Sequence, residues 1–253
     1  MPIETRTRTR TPYAPALRLP PPFRLVALRE SGNALAHATQ IAANEGAGTL
    51  VYVGRFDLVE FALVIEPNEK LRTARRAFYA GLNALADALI AYAPPEKLIT
   101  VDWPAAIFVD GGLIGGGQLA WPAGASEDAV VPWLVFGGMV RSVAMGEIEP
   151  GLRAGSATLE EEGFEEVGSG PLVESFARHF MVMLDAWQEF GFSAVAKPYL
   201  ERLPPLSGHR REIHENGDLI IRQVTGDKFE QRSLIDALTA AAWLDPETGG
   251  PRL

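Results

Sequence analysis

The sequence predicts an α+β fold: a mixed or antiparallel sheet with helices packed on one side, followed by a small C-terminal hairpin and helix. Three observations carry that expectation. Apolar strand candidates arrive in groups. Two long segments of helical periodicity, at residues 69–93 and 171–190, separate those groups. The order also departs from the strict strand–helix alternation of a doubly wound fold.

Bulk properties bound the rest. The 253 residues suit one sizeable domain with an appendage. Hydrophobic residues make up 47% and charged residues 22%, enough to bury a substantial core. A net charge of -9 argues against non-specific nucleic-acid binding and against docking on an anionic membrane. With no cysteine, disulfides, thiolate metal sites and a cysteine nucleophile are excluded. His37, His179, His209 and His214 are too scattered to suggest a metal cluster. There is no apolar run of membrane-spanning length and no secretory signal, so the expected location is the cytoplasm.

Along the chain, residues 1–22 read as a flexible arm, with Thr5-Arg6-Thr7-Arg8-Thr9-Arg10 followed by Pro20-Pro21-Pro22. The main domain is expected over residues 23–206 and a small hairpin-and-helix domain over 207–253. Residues 23–30 form a short strand candidate with the apolar run Phe23 to Leu28. Ser31 is placed as the cap of a helix that runs through Glu45 and stops at Gly46. Residues 49–53 and 61–65 read as buried strands. In the helix at 69–93, Leu71, Phe78, Leu82, Leu85 and Leu89 share one face, and Pro94-Pro95 ends it.

Strands are expected around Trp103 and Gly115 and at residues 133–136. The helix from Pro171 keeps Leu172, Phe176, Phe180, Met183, Trp187 and Phe190 at helical spacing, a core stripe ending at Gly191. The acidic segment 160–166 reads as a solvated loop. Asn216-Gly217 between two alternating runs signals a hairpin whose two turn positions take positive φ. Ser233-Leu234-Ile235-Asp236 resembles a capping box opening a helix to Trp243.

The segment from Asp102 to Gly117 is the most informative. Trp103-Pro104 imposes extended or turn geometry. Val109-Asp110-Gly111-Gly112 supplies a hairpin turn, and Gly115-Gly116-Gly117 leaves a strand without side chains. Glycine inside a strand is destabilising, so it marks a close approach, either by another backbone or by a ligand.

These residues resemble the biotin and lipoate protein ligase family, which carries a Lys-Trp-Pro-Asn-Asp segment, a short turn, and a lysine shortly before a glycine. Trp103, Pro104 and Gly116 match. Glu30-Ser31-Gly32-Asn33 resembles the family's Ser-Thr-Asn at the start of its first helix, and Gly48-Thr49-Leu50-Val51 its Gly-Thr-Val-Val strand. Phe136-Gly137-Gly138-Met139 stands where a Gly-Ile-Gly-Ile strand would lie. The helix from Pro171 with Gly191-Phe192 resembles the last helix and its turn. The likeness covers roughly residues 25–203.

The departures bear on chemistry. Asp102 stands in place of the first lysine, Ala105-Ala106 in place of Asn-Asp, and Leu113 in place of the second lysine. Only Arg55 could supply charge where the family has an arginine- and glycine-rich loop over the adenylate. Forming an acyl adenylate from ATP requires cations on the phosphates, each worth several kcal/mol.

The resemblance therefore implies a divergent ligase-like protein that keeps a pocket lined by Ser31, Asn33, Arg55, Trp103, Gly115, Gly116, Gly117, Gly137 and Gly138. Biotin, lipoate or an acyl adenylate is the implied ligand and a carrier domain the implied partner. In this reading Gly115 to Gly117 admit a ligand edge, Arg55 pairs with a ligand carboxylate and Trp103 walls the pocket. Asp57 and Glu60 are noted as a carboxylate pair. Two alternatives stay open: an active ligase or acyltransferase using substituted residues, and an interaction protein with a filled pocket. The C-terminal unit is expected to cap the sheet or to support a homodimer.

Overall fold

The computed structural model describes residues 17–145, 155–164 and 167–252. The Thr5 to Arg10 run lies outside them. The elements run β1 (Arg24–Leu28), α1 (Ala34–Glu45), β2 (Thr49–Val53), β3 (Leu58–Ile65), α2 (Leu71–Ala74), α3 (Ala77–Ile90), β4 (Ile99–Asp102), β5 (Ala106–Val109), β6 (Gly112–Ala120), β7 (Leu134–Arg141), α4 (Ser169–Phe190) and α5 (Ser193–Glu201). A C-terminal group follows: β8 (His209–Ile213), β9 (Leu219–Gln223), β10 (Phe229–Arg232) and α6 (Leu234–Thr239).

Seven strands form one mixed sheet in the order β1-β2-β3-β7-β6-β5-β4. Only the edge pair β1–β2 is parallel; the other neighbours are antiparallel. Strands β2 and β3 are buried along nearly their whole length because both of their faces are apolar. Leu50, Tyr52, Phe61 and Leu63 pack with Phe78, Leu82 and Leu85 of α3 and Phe176 of α4. Val51, Val53, Ala62 and Val64 form a second cluster with Ala34, Ala38 and Ala42 of α1. The helices α3 and α4 share one face as expected, whereas α1 lies on the other. Strands apolar on both faces need cover on both, and the alanine stripe of α1 lets it approach closely.

The expected long helix at 69–93 is divided. Between α2 and α3 the backbone tightens to i→i+3 hydrogen bonds, from Arg76 N–H to Thr73, Phe78 N–H to Arg75 and Tyr79 N–H to Arg76. The cap of α1 is Asn33 rather than Ser31: its side chain accepts the N–H of Ala36 at 2.7 Å. In the β5–β6 hairpin Asp110 and Gly111 both take positive φ, 47° and 87°.

The β8–β9 hairpin forms, with a different turn from the one the sequence suggests. Only Gly217 of the Asn-Gly pair has positive φ, and its N–H closes a turn on His214 C=O at 2.9 Å. This is a type I turn with glycine in the left-handed position after it. The third strand, β10, pairs antiparallel with β9 and has no counterpart in the sequence reading. All four of its residues are exposed, so no apolar alternation marks it. Ser233 caps α6 by accepting the N–H of Asp236, but the helix ends at Thr239, short of Trp243. Leu219, Ile221, Leu234 and Trp243 join the main apolar cluster, so this C-terminal group packs directly on the larger sheet.

Candidate functional site

The start of α1 faces a cavity of about 430 Å³. Its walls come from the loop before α1 (Glu30, Ser31, Asn33), from β3 and the loop preceding it (Arg55, Asp57, Glu60), from β7 (Met139, Arg141) and from the C-terminal segment (Asp245, Thr248, Pro251).

Glu60 interrupts the apolar strand Leu58-Val59-Glu60-Phe61-Ala62-Leu63 and is only 3% exposed. Its Oε1 accepts the N–H of Ala34, the first residue of α1, at 2.7 Å. Together with the Asn33 cap, this bond satisfies donors that a helix start leaves without intrahelical partners. Burial pushes the Glu60 carboxyl above the ordinary glutamate range, against the Ala34 hydrogen bond and the nearby Arg55, which pull it down.

Arg55 is held by Asp57. Its Nε donates to Oδ1 at 3.0 Å and its Nη2 to Oδ2 at 2.7 Å. The hydrogen bonds from Arg55 hold Asp57 below the usual carboxylate range. This two-point pair takes the Nε–Nη2 edge of the guanidinium and leaves Nη1 outside it. Arg141 reaches across the cavity rim, where its Nη2 donates to the carbonyl of Pro251.

Ser31, Asn33 and Arg55 therefore share one cavity, and the other residues expected with them lie elsewhere. Trp103 lines a separate cavity of about 230 Å³ with Pro104, Ala106, Ala240 and Trp243. Its Nε1 donates to the Tyr79 hydroxyl at 3.2 Å, and that hydroxyl donates to Gly217 C=O at 2.5 Å. Tyr199 donates to Pro104 C=O at 2.8 Å. Trp103-Pro104 is thus tied to two buried tyrosines and, through one of them, to the C-terminal hairpin.

The glycines are occupied by packing. A Cβ at Gly116 would lie 2.7 Å from the Trp243 ring and would collide with Ala105 C=O; one at Gly115 would strike Met139 C=O. Gly117 faces Leu82 and Phe136, Gly137 faces Leu35, and Gly138 faces the Phe61 ring. Close approach is the reason for glycine here, as the sequence implied, and the approaching groups belong to the protein itself. Leu113 does not fill the space beside Gly116; Trp243 does.

Two features escaped the sequence reading. The seat of Glu60 had a signal, a lone charge inside an apolar strand. The C-terminal segment as a cavity wall had none. Among the described residues no group of three or more His, Asp or Glu side chains could hold a metal ion. No described helix is long and apolar enough to cross a membrane.

Comparison with known proteins supplies the context. A biotin protein ligase-like protein of unknown function from Silicibacter sp. TM1040 is similar at 24% identity and a TM-score of 0.74, covering 87% of this chain and 98% of that one. The biotin protein ligase from Aquifex aeolicus is similar at 15% identity and a TM-score of 0.60, covering 83% and 99%. The Leishmania major biotin protein ligase in complex with biotinyl-5-AMP follows at 13% and 0.52, covering 85% and 99%. At these identities the likeness is one of fold. No curated protein matches the chain. The model of the biotin/lipoate A/B protein ligase family matches residues 19–201, most of the chain. The chain belongs to the biotin/lipoate A/B protein ligase family.

Proposed function

We propose that this chain is a divergent ligase-like protein that holds a small acyl or biotin-like ligand, free or on a carrier domain, without forming an adenylate. The observation that carries the reading is the charge of the cavity at the start of α1. Among the described residues it is lined by four carboxylates (Glu30, Asp57, Glu60, Asp245) and two guanidiniums (Arg55, Arg141), with Arg55 paired to Asp57. Adenylate formation needs the opposite balance, because each phosphate oxygen that gains charge must meet a cation or donor. Asp102, Ala105, Ala106 and Leu113, which stand where the resemblance places lysines and polar residues, support the same conclusion. We take the cytoplasm as the compartment of this activity.

The test is calorimetric titration with biotin, lipoate and octanoate as free acids, amides and adenylates, alongside an ATP–pyrophosphate exchange assay. Binding of one of these without exchange is the expected result. ATP-dependent transfer to a carrier lysine would establish instead an active ligase with substituted residues. A second reading has its own support: Trp243 seated on Gly116 suits an interaction protein whose pocket is filled. Failure of every ligand to bind would favour it.

A further inference from the structure

Glu60 presents to the cavity an acceptor that no described residue satisfies. Its Oε1 takes the Ala34 N–H. Among the described residues its Oε2 has no hydrogen-bond partner, although the residue is 3% exposed and lines the cavity. Oε2 opens onto the cavity, and a ligand that displaces water from it without donating would leave the acceptor unpaired at a cost, so a donor is favoured beside it. The same cavity disfavours anions. Its four carboxylates outnumber its two guanidiniums, and each guanidinium already spends donors within the protein, Arg55 on Asp57 and Arg141 on Pro251 C=O. A ligand carboxylate or phosphate would sit among like charges at partly buried sites, where screening is weak.

We infer that the cavity selects an acyl amide, neutral and bearing an N–H that donates to Glu60 Oε2, over the corresponding free acid or acyl adenylate. The inference rests on the reading that this cavity holds an acyl or biotin-like ligand, and it names the chemical form of that ligand. It also separates this site from one that activates an acid, because an amide is already joined to its amine. The raised proton affinity of Glu60 fits the geometry: an entering N–H donor favours the ionised carboxyl that burial disfavours.

The experiment uses the full chain and two matched pairs, biotinamide with biotin and lipoamide with lipoate, titrated calorimetrically at pH 7.5 and two salt concentrations. At least one amide is expected to bind about tenfold or more tightly than its acid, with the gap narrowing at high salt. Glu60→Gln keeps an oxygen for the Ala34 N–H and turns an amide nitrogen toward the ligand. It is expected to weaken amide binding about tenfold or more, the size of a lost hydrogen bond to a charged group. Its melting temperature monitors folding. Should that variant fail to fold, the acid–amide comparison in the native chain decides alone. Acids binding as tightly as amides, or amide affinity unchanged in folded Glu60→Gln, would overturn the inference and leave the ligand-binding reading standing. If no acid, amide or adenylate binds, the ligand-binding reading itself fails, and this inference with it.

Discussion

Replacing Trp243 with alanine tests whether the C-terminal segment is an integral part of the core. Trp243 is 3% exposed and its ring covers Gly116 in the middle of β6. Truncating a buried tryptophan to alanine costs about 3–5 kcal/mol. The loss is offset in part, because among the described residues the buried Nε1 of Trp243 has no hydrogen-bond partner. Removing such a donor regains about 1–3 kcal/mol. Taken at the midpoints of these ranges, the net cost is about 2 kcal/mol. Trp243→Phe keeps an aromatic ring over Gly116 and deletes the unpartnered N–H, so its stability should stay within about 1 kcal/mol of the parent. Urea unfolding followed by far-UV circular dichroism measures both, with an unchanged m-value as the check that the same surface is exposed. A cost below about 1 kcal/mol for Trp243→Ala would refute the reasoning, since it would mean that the segment rests on the sheet without sharing its core. Equal losses for the two variants would refute the account of the orphaned donor.

Asp218 accepts from Leu234 N–H at 2.9 Å, from Gln231 at 2.7 Å and from Asn216 at 2.8 Å, knitting the hairpin to β10 and α6. Asp218→Ala should cost about 2–4 kcal/mol and speed hydrogen exchange in β9 and α6 before it does so in β3; uniform protection across all three elements would argue against that role. Gly138→Ala places a Cβ 2.5 Å from the Phe61 ring, and an overpacking cost of about 1–3 kcal/mol is expected in thermal unfolding. Because the folded-state pKa of Glu60 is raised, the folded chain binds more protons than the unfolded one above the ordinary value of 4.5. Its contribution is therefore fully present below 4.5 and is lost as pH rises through the raised value. Stability of the parent relative to Glu60→Gln should fall over that window, and a flat difference would contradict the seat described for this side chain. Asp57 has the opposite sign: its pairing with Arg55 stabilises above 3.8 and is lost as pH falls below it, so Asp57→Asn should flatten the acid limb of a pH–stability curve.

Local pattern determined much of this protein. The apolar runs of β2 and β3, the Phe176 to Trp187 stripe of α4, and the turn glycines at 111 and 217 each report a conformation through their near neighbours in the chain. The ordered set of motifs from Ser31 to Gly191 was enough to indicate the family. The same residues could not say what stands beside them. That α1 covers the face opposite α3 and α4 follows from which side of β2 and β3 remained open. That β10 exists follows from the free edge of β9, since its own residues bury nothing. Glycine at 116 announced a close approach, but a sequence cannot distinguish a ligand from a tryptophan more than a hundred residues away. Periodicity and turn chemistry act over a few residues, and the sequence by itself carries them. The occupant of the space beside Gly116, the partner of Arg55 and the unpaired oxygen of Glu60 are contacts between distant segments, and only the tertiary structure decided them.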